Sequence, residues 1–416
     1  MKKTSKTKTL LRPCPICDSR QGEVLHTQKF LVPQEYLLPA EYDVVACTKC
    51  GFTYADTSVG QQDYNRYYQS QSIYEDKKTG RGSGTNEHDL KRLSEIAEEV
   101  ARSCPDKTAR IIEVGCANGG ILMLLKRKGY TNLTGVDLSA KCIENVTSHG
   151  IAGVQGAISD VGRLLNGQKF DYVILSHIVE HVYDLRGALR QCYDLMDKDA
   201  TLYLEVPDAA RYSDFYIDPY HHFNIEHINH FDEVSLTNIG AVTNFSKRYA
   251  GHKTTPVSAD YTWPAVFVLF EKAKPLELPL STEARKSIEA YLELSAKDSC
   301  TEIIAELVKT QEELYVFGAG NLTYRLLATT DLPKCNIKAF IDNDSKKQRK
   351  LTYGGGKMLI SNEICAPKVL AGATGTVVIC SVQFTQEIEA QIKSINESLK
   401  IVKLNRTLKN NLNYAP

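Results

Sequence analysis

The sequence predicts an α/β protein in which two doubly wound units follow a small cysteine-bearing module. Three observations carry that reading. Apolar runs alternate with amphipathic helical stretches from Arg110 to about Ala273, and again from Leu314 onward. In each series a glycine-bearing turn follows the first strand and an aspartate ends the second, Asp137 in one and Asp342 in the other. Ahead of both, a tyrosine-rich stretch holds four cysteines in two close pairs. The boundaries drawn on this basis are 1–75, 76–275 and 276–416.

Taken in order, the first helix spans Asn86 to Arg102, with Leu90, Leu93, Ile96, Ala97 and Val100 on one face and Ser103-Cys-Pro ending it. Strands are expected at 110–114, 133–137, 152–156, 171–176, 201–205 and 265–271. The run YVILS at 172–176 has the continuous apolar character of a strand buried on both faces. The proline-bearing segment 274–281 reads as a linker. One long helix is expected over 282–311, with Ser281 as N-cap and Glu283 in its first turn. The second unit opens with LYVFGAG, continues as a helix at 321–330 and a strand in IKAFIDND, and adds strands in TVVICSV (376–382) and IVKLN (401–405) around a helix near 384–396. Gly354-Gly-Gly356 reads as a tight turn.

Composition bounds the function. At 416 residues and 43% hydrophobic, the chain is long enough for two or three domains with sizeable cores. Fifty basic and fifty acidic residues leave no net charge, which argues against a general attraction to nucleic acid or an anionic membrane. No run of about 18 apolar residues exists, so no membrane span is expected. The basic opening MKKTSKTKT has no apolar stretch behind it and reads as a frayed terminus, not a signal peptide. Twelve cysteines without an export signal then point to a reducing, cytoplasmic setting, with thiols free or metal-bound.

The pairs Cys14-Pro-Ile-Cys17 and Cys47-Thr-Lys-Cys50 have the spacing that lets four thiolates face one tetrahedral Zn²⁺, and Gly51 supplies a permissive turn after the second pair. Four protein ligands make a closed, structural site. Redox dithiols are the alternative. The other eight cysteines are isolated and read as small packed hydrophobes.

The first turn reads Glu113-Val-Gly115-Cys-Ala117-Asn-Gly119-Gly120, which is not the G-x-G-x-x-G of a dinucleotide site. It resembles motif I of class I S-adenosylmethionine methyltransferases, E/D-x-G-x-G-x-G, with Ala117 at the middle glycine. The string FDYVILSHIVEHVYD, starting at Phe170, resembles the fourth strand of that family. The resemblance implies a Rossmann-like core in which Glu113 orients the methionine end of the cofactor and Gly115 and Gly119 allow its close approach. Asp137 would hold the ribose hydroxyls, Leu138 would lie against adenine, and Ser176 and His177 would face the methyl donor. A dinucleotide-binding or non-binding unit stays open as the alternative.

Histidines supply the acceptor side. His177 and His181 share a face on a helical turn. His221, His222, His227 and His230 surround Glu226 in YHHFNIEHINHFD. Histidine suits proton abstraction near neutral pH, and a neighbouring carboxylate can orient it. The plainer readings are that His181 lines the pocket and that Glu226 and His227 form a structural pair. A metal on His221, His222 and His227 is a weaker alternative, because adjacent histidines project differently.

The whole order, a four-cysteine module, a methyltransferase core and a C-terminal Rossmann-like unit, resembles the sugar C-methyltransferases of deoxysugar pathways. That resemblance implies a nucleotide-linked keto sugar as small-molecule substrate, S-adenosyl-L-methionine as donor, structural zinc, and no nucleic-acid or membrane partner; it leaves the oligomeric state open. A base would take the proton next to a ketone, and the enolate carbon would attack the methyl group. His181, Glu226 and His227 match the family's active-site histidine and glutamate-histidine, and Tyr74 in SQSIYED resembles a tyrosine that closes over the cofactor. Where the family commonly has Tyr-His-Glu-His, this chain has Asn224-Ile225-Glu226-His227, which keeps sugar or small-molecule O-methylation alive. Gly318-Ala-Gly320 would either take a phosphate or belong to a shell whose substrate contacts lie at the domain interface. A zinc-ribbon nucleic-acid-binding protein is the rival from another class.

Overall fold

A computed structural model describes residues 7–33, 36–71, 82–258, 261–273, 278–348, 350–355 and 358–404. Tyr74, the first four residues of the expected linker, Gly356 and Asn405 lie outside them.

The N-terminal module is an antiparallel meander of β1 (Thr7–Thr9), β2 (Gln21–Lys29), β3 (Glu41–Cys47) and β4 (Thr53–Asp56), followed by helix α1 (Gln61–Gln71). Its cysteine pairs sit in the turn before β2 and at the end of β3. Helix α2 (Glu87–Ser103) then leads into the core, capped by Asn86, whose side chain accepts from the Asp89 N–H at 2.8 Å. Leu93, Ile96, Ala97 and Val100 are buried as the helical period requires, whereas Leu90 is exposed.

The core alternates β5 (Arg110–Val114), α3 (Gly120–Arg127), β6 (Asn132–Asp137), α4 (Ala140–Ser148), β7 (Ala152–Gln155), α5 (Val161–Leu164), β8 (Phe170–Ser176), α6 (Leu185–Leu195) and β9 (Met196–Pro207). After the two-residue β10 (Asn229–His230) come α7 (Glu233–Ala241), β11 (Phe245–Pro256) and β12 (Thr262–Lys272). The sheet order is β11-β12-β9-β8-β5-β6-β7, with β12 antiparallel to β9 and β11 antiparallel to β12. The chain runs outward from β5 to β7 and returns at β8. The carboxyl ends of β5 and β8 therefore flank a topological switch point, where open α/β sheets bind ligands. Residues 172–175 are buried on both faces. The long edge strand β11 has no counterpart among the expected strands: most of its residues are polar and at least partly exposed, so no alternation betrays it.

The expected single helix over 282–311 is two, α8 (Glu283–Ala296) and α9 (Cys300–Thr310). The break falls at Asp298, whose carboxylate accepts the Cys300 N–H at 2.8 Å and the Tyr216 hydroxyl at 2.5 Å. A local side-chain bond that replaces a helical one ends a helix. Ser281 is not the N-cap of α8. Its hydroxyl donates to Asp232 at 2.6 Å, and the same carboxylate oxygen accepts the Ala284 N–H at 3.2 Å. The other Asp232 oxygen caps α7 through the Ser235 N–H at 2.8 Å, so one buried carboxylate terminates two helices.

The C-terminal unit comprises β13 (Leu314–Phe317), α10 (Asn321–Thr329), β14 (Ile337–Ile341), β15 (Lys350–Gly355), β16 (Met358–Cys365), β17 (Thr376–Ile379), α11 (Thr385–Ile395) and β18 (Lys400–Lys403), in sheet order β15-β16-β14-β13-β17-β18. Gly354 and Gly355 belong to β15, not to a turn. The Ala319 N–H donates to Asp342 at 2.9 Å, and Lys347 pairs with the same carboxylate at 3.1 Å.

The three parts interlock. β10, from the loop after β9, pairs antiparallel with β4 and completes the N-terminal sheet. Arg12 is fully buried: its backbone N–H donates to Asp56 at 2.8 Å, and its guanidinium to the carbonyls of Tyr183 at 2.6 Å and Ile228 at 3.3 Å. Burial pulls that guanidinium down to about 10. One hydrophobic cluster joins Leu10, Phe52 and Tyr54 of the module to β8, β9 and β12. Another joins Tyr42, Tyr64 and Tyr67 to Phe223, Tyr291 and the face of α10.

Candidate active site

At the switch point lies a cavity of about 570 Å³. Its floor is the turn from β5 into α3. Gly115 and Gly119 take φ of +78° each, and a Cβ on Gly115 would stand 2.1 Å from Ile178 Cδ1. Only glycine meets both demands there. Ala117 also lies in the left-handed region, at φ 44°, which an L side chain occupies at a cost of roughly 1 kcal/mol. In return its N–H donates to Asp137 Oδ2 at 2.9 Å, while the Ser139 N–H donates to Oδ1 at 2.9 Å. These bonds fix the carboxylate at the end of β6, beside Leu138 on the cavity wall.

Glu113 is buried. Desolvation pushes its carboxyl well above the usual carboxylate range, Asp137 pushes it further, and Arg92 opposes. Its Oε2 finds no hydrogen-bond partner among the described residues, and neither do Ser176 Oγ and Glu180 Oε2 on the same cavity. Buried polar atoms left unpaired carry a penalty that a polar ligand can remove. The cradle thus fits a cationic, hydroxyl-bearing nucleoside ligand: a buried acid at the end of the first strand, a carboxylate at the end of the second, and glycines where backbone must approach.

Histidines line the same cavity. His181 Nδ1 lies 3.1 Å from the Glu226 carbonyl and 2.8 Å from the Tyr68 hydroxyl, and its ring meets that of His227 edge-on with centroids 4.7 Å apart. Glu226 Oε1 accepts the Tyr67 hydroxyl at 2.8 Å. Asn224 Oδ1 accepts the N–H groups of Glu226 and His227 at 2.9 and 2.8 Å, which shapes the loop that presents both. Burial, then the neighbouring His181, holds the His227 ring well below the ordinary imidazole range, which favours its neutral form. His177 lines the cavity, but both ring nitrogens are committed, to Glu180 at 3.2 Å and Glu205 at 3.1 Å. Burial alone would pull that ring down; the two carboxylates override it and raise it.

The structure thus brings Glu113, Gly115, Asp137, Leu138, Ser176, His177, His181, Glu226 and His227 around one cavity, with Gly119 shaping the turn behind it. It directs His221 onto Asp218 at 2.7 Å and stacks His222 on Tyr212 with centroids 3.8 Å apart, so these two do not join His227 in a metal set. The sequence reading missed Tyr67 and Tyr68. Their hydroxyls come from α1 and enter where residue 224 offers none. The only trace of them is the tyrosine richness of the first 75 residues. It also missed Glu180, Trp263 and, from the C-terminal unit, Gln383, Phe384 and Glu387, all of which line the cavity.

Residues 86–249 match the family described as Methyltransferase domain. The centre of this chain is a class I S-adenosylmethionine-dependent methyltransferase domain. The domain is 30% identical over 105 residues to a ubiquinone biosynthesis O-methyltransferase of Haemophilus ducreyi, across 23% of this chain and 44% of that protein. It is 27% identical over 139 residues to sphingolipid C9-methyltransferase 1 of Gibberella zeae, across 30% of this chain and 26% of that protein. The chain thus spans less than half the length of either curated relative. Among solved structures it is similar to the 1,6-didemethyltoxoflavin-N1-methyltransferase of Burkholderia thailandensis, at 12% identity and a TM-score of 0.41, over 55% of this chain and 97% of that one.

Away from the domain, the four cysteines converge. Their sulfurs lie within 4.8 Å of one another, with Cys14 and Cys50 at 3.5 Å and Cys17 and Cys47 at 3.4 Å. A tetrahedral zinc with bonds of about 2.3 Å needs sulfurs about 3.8 Å apart, which this set fits. Among the described residues, no helix is long and apolar enough to cross a membrane.

Proposed function

We propose that the chain transfers a methyl group from S-adenosyl-L-methionine to a small nucleotide-linked sugar, at the carbon next to a ketone, and that Cys14, Cys17, Cys47 and Cys50 hold a structural Zn²⁺. One observation carries the reading: the carboxylates Glu113 and Asp137, suited to a nucleoside, and the candidate bases His181, Glu226 and His227 line a single cavity. Donor and acceptor bound there are held for in-line displacement, which is where most of the rate enhancement of such a reaction arises.

The Glu226–His227 pair supplies the base. The acceptor loses its proton to the pair, the resulting carbanion attacks the methyl carbon, and the S–C bond electrons return to sulfur, leaving a neutral thioether. Tyr67 and Tyr68 steady the pair and His181 and supply the hydroxyls that position 224 lacks. Cys14, Cys17, Cys47 and Cys50 would hold the zinc in the N-terminal turns, where it would stiffen the module whose Arg12 braces residues 182–183 and 228.

Product analysis by NMR after incubation with methyl-labelled donor and a panel of nucleotide sugars tests the reading. A new C–CH₃ resonance supports it, an O–CH₃ moves the acceptor to oxygen, and no labelled product from any sugar removes the substrate class. His227→Ala is expected to lower kcat by 10²–10⁴-fold with cofactor affinity nearly unchanged; a wild-type rate would take His227 out of the mechanism.

A further inference from the structure

Three potential metal-binding atoms meet at the acceptor wall: a Glu180 carboxylate oxygen and one ring nitrogen each from His181 and His227, all within 4.8 Å of one another. The hydrogen bonds around them dictate which lone pairs point inward. In the tautomer that bonds the Glu226 carbonyl, His181 Nδ1 carries the proton, and the Nε2 lone pair lies 3.9 Å from Glu180 Oε1. No hydrogen bond among the described residues reaches the His227 ring. Glu180 is 1% exposed, and its Oε2 has no hydrogen-bond partner among the described residues. Three acceptors converging at a partly buried wall, with the carboxylate fully buried, form a donor set that a cation can share.

We propose that Glu180, His181 and His227 bind a divalent metal ion at the mouth of the methyl-donor cavity, distinct from the four-cysteine cluster. Two histidines and one carboxylate leave coordination positions open for substrate, and this donor set suits Mn²⁺, Fe²⁺, Co²⁺ or Zn²⁺. The outer partners are those such a site needs. The Glu226 carbonyl fixes the His181 ring, and His177 donates to Glu180 at 3.2 Å while being held in turn by Glu205. Ligands about 2.1 Å from one ion lie roughly 3.0–3.5 Å apart, so small side-chain rotations close the set.

The chemistry of the ion rests on the methyl-transfer reading. The acceptor's carbonyl or hydroxyl oxygen completes the coordination, and the ion stabilises the negative charge left when the neighbouring proton departs. With His227 on the metal, Glu226 is the member of the pair that takes that proton. The carbanion or alkoxide then attacks the methyl carbon, and the sulfonium leaves as thioether.

Mn²⁺ titration followed by electron paramagnetic resonance, on protein whose cysteines keep their zinc, tests the site. Wild-type chain is expected to take up one Mn²⁺, His227→Gln and Glu180→Gln to bind it at least 10-fold more weakly, and Asp137→Ala to bind it as wild type does. His227 lies at the half-buried pocket wall, so its variant keeps the readout if the Glu180 variant does not fold. Wild-type protein that gives heat with S-adenosylmethionine but takes up no more Mn²⁺ than His227→Gln overturns the metal site alone. Specific Mn²⁺ uptake with no cofactor heat supports the metal site and overturns the methyl-transfer reading instead.

Discussion

Glu113 shows how a single side chain couples protonation to binding. Buried, and without a partner for Oε2 among the described residues, it favours its neutral form over a wider pH range than an exposed glutamate does. A cationic ligand prefers the ionised carboxylate. Affinity for S-adenosylmethionine is therefore expected to be weak at acid pH, to rise as pH climbs through the raised Glu113 value, and then to level off. Binding releases protons over that interval, which calorimetry in buffers of different ionisation heat measures directly. Glu113→Gln should flatten the profile and remove the buffer dependence; a wild-type profile in that variant assigns the linkage elsewhere. Glu113, Asp137, His181, Glu226 and His227, the candidates read from the sequence, all line the cavity; the first three follow from motifs at strand ends, the last two from the histidine cluster around Glu226. Tyr67 and Tyr68 were not legible there, because α1 reaches the site across more than 100 residues and nothing local to it announces a site.

Among the elements, caps decide more than periodicity. The βαβ strands could be read from apolar runs, and their ends matched the structure to within a few residues, except that β9 extends well beyond 201–205. The 282–311 helix misled because both halves carry helical period, while the break at Asp298 depends on Tyr216, some 80 residues away. Asp232 is the clearest case of this long-range control. Removing its side chain uncaps α7 and α8 together and strands the Ser281 hydroxyl. At about 1 kcal/mol per cap plus the buried donors left unpaired, Asp232→Ala should cost roughly 2–4 kcal/mol in urea unfolding. A loss below about 0.5 kcal/mol would mean that the caps do not act through this carboxylate. β11 escaped notice because an exposed edge strand buries too little on either face to show a period of two.

For the molecule as a whole, the N-terminal and C-terminal parts frame the cavity. Arg325 of α10 pairs with Asp218 at 2.5 Å and donates to the Tyr220 carbonyl at 3.0 Å; Asp218 holds His221, and His221 meets Gln383 of the cavity wall at 3.2 Å. Burial pushes the Asp218 carboxyl up, but His221 and Arg325 outweigh it and leave it lowered. The stabilisation from this pairing is accordingly complete above the unfolded-state carboxylate value and is lost as pH falls through the lowered folded value. Arg325→Ala leaves that buried carboxylate with His221 as its remaining partner. It should cost about 1.5–3 kcal/mol and raise KM for the acceptor, with cofactor affinity close to wild type. Unchanged stability would show that the C-terminal unit does not lean on this bridge. Two Rossmann-like units could be read from the sequence because each carries its own turn and aspartate. The docking of the three parts could not, since it rests on Arg12 and β10 between the N-terminal module and the core, and on Arg325 between the core and the C-terminal unit, none of which has a pattern of its own.

The central claim is that the carboxylate at the end of β6 holds the ribose of S-adenosylmethionine. Isothermal titration of the cofactor into wild-type and Asp137→Ala protein tests it most directly. Losing charge-assisted bonds of about 2–3 kcal/mol predicts one site per wild-type chain and affinity weakened roughly 30- to 150-fold in the variant. No heat with wild-type protein, or equal affinity in both, contradicts the account.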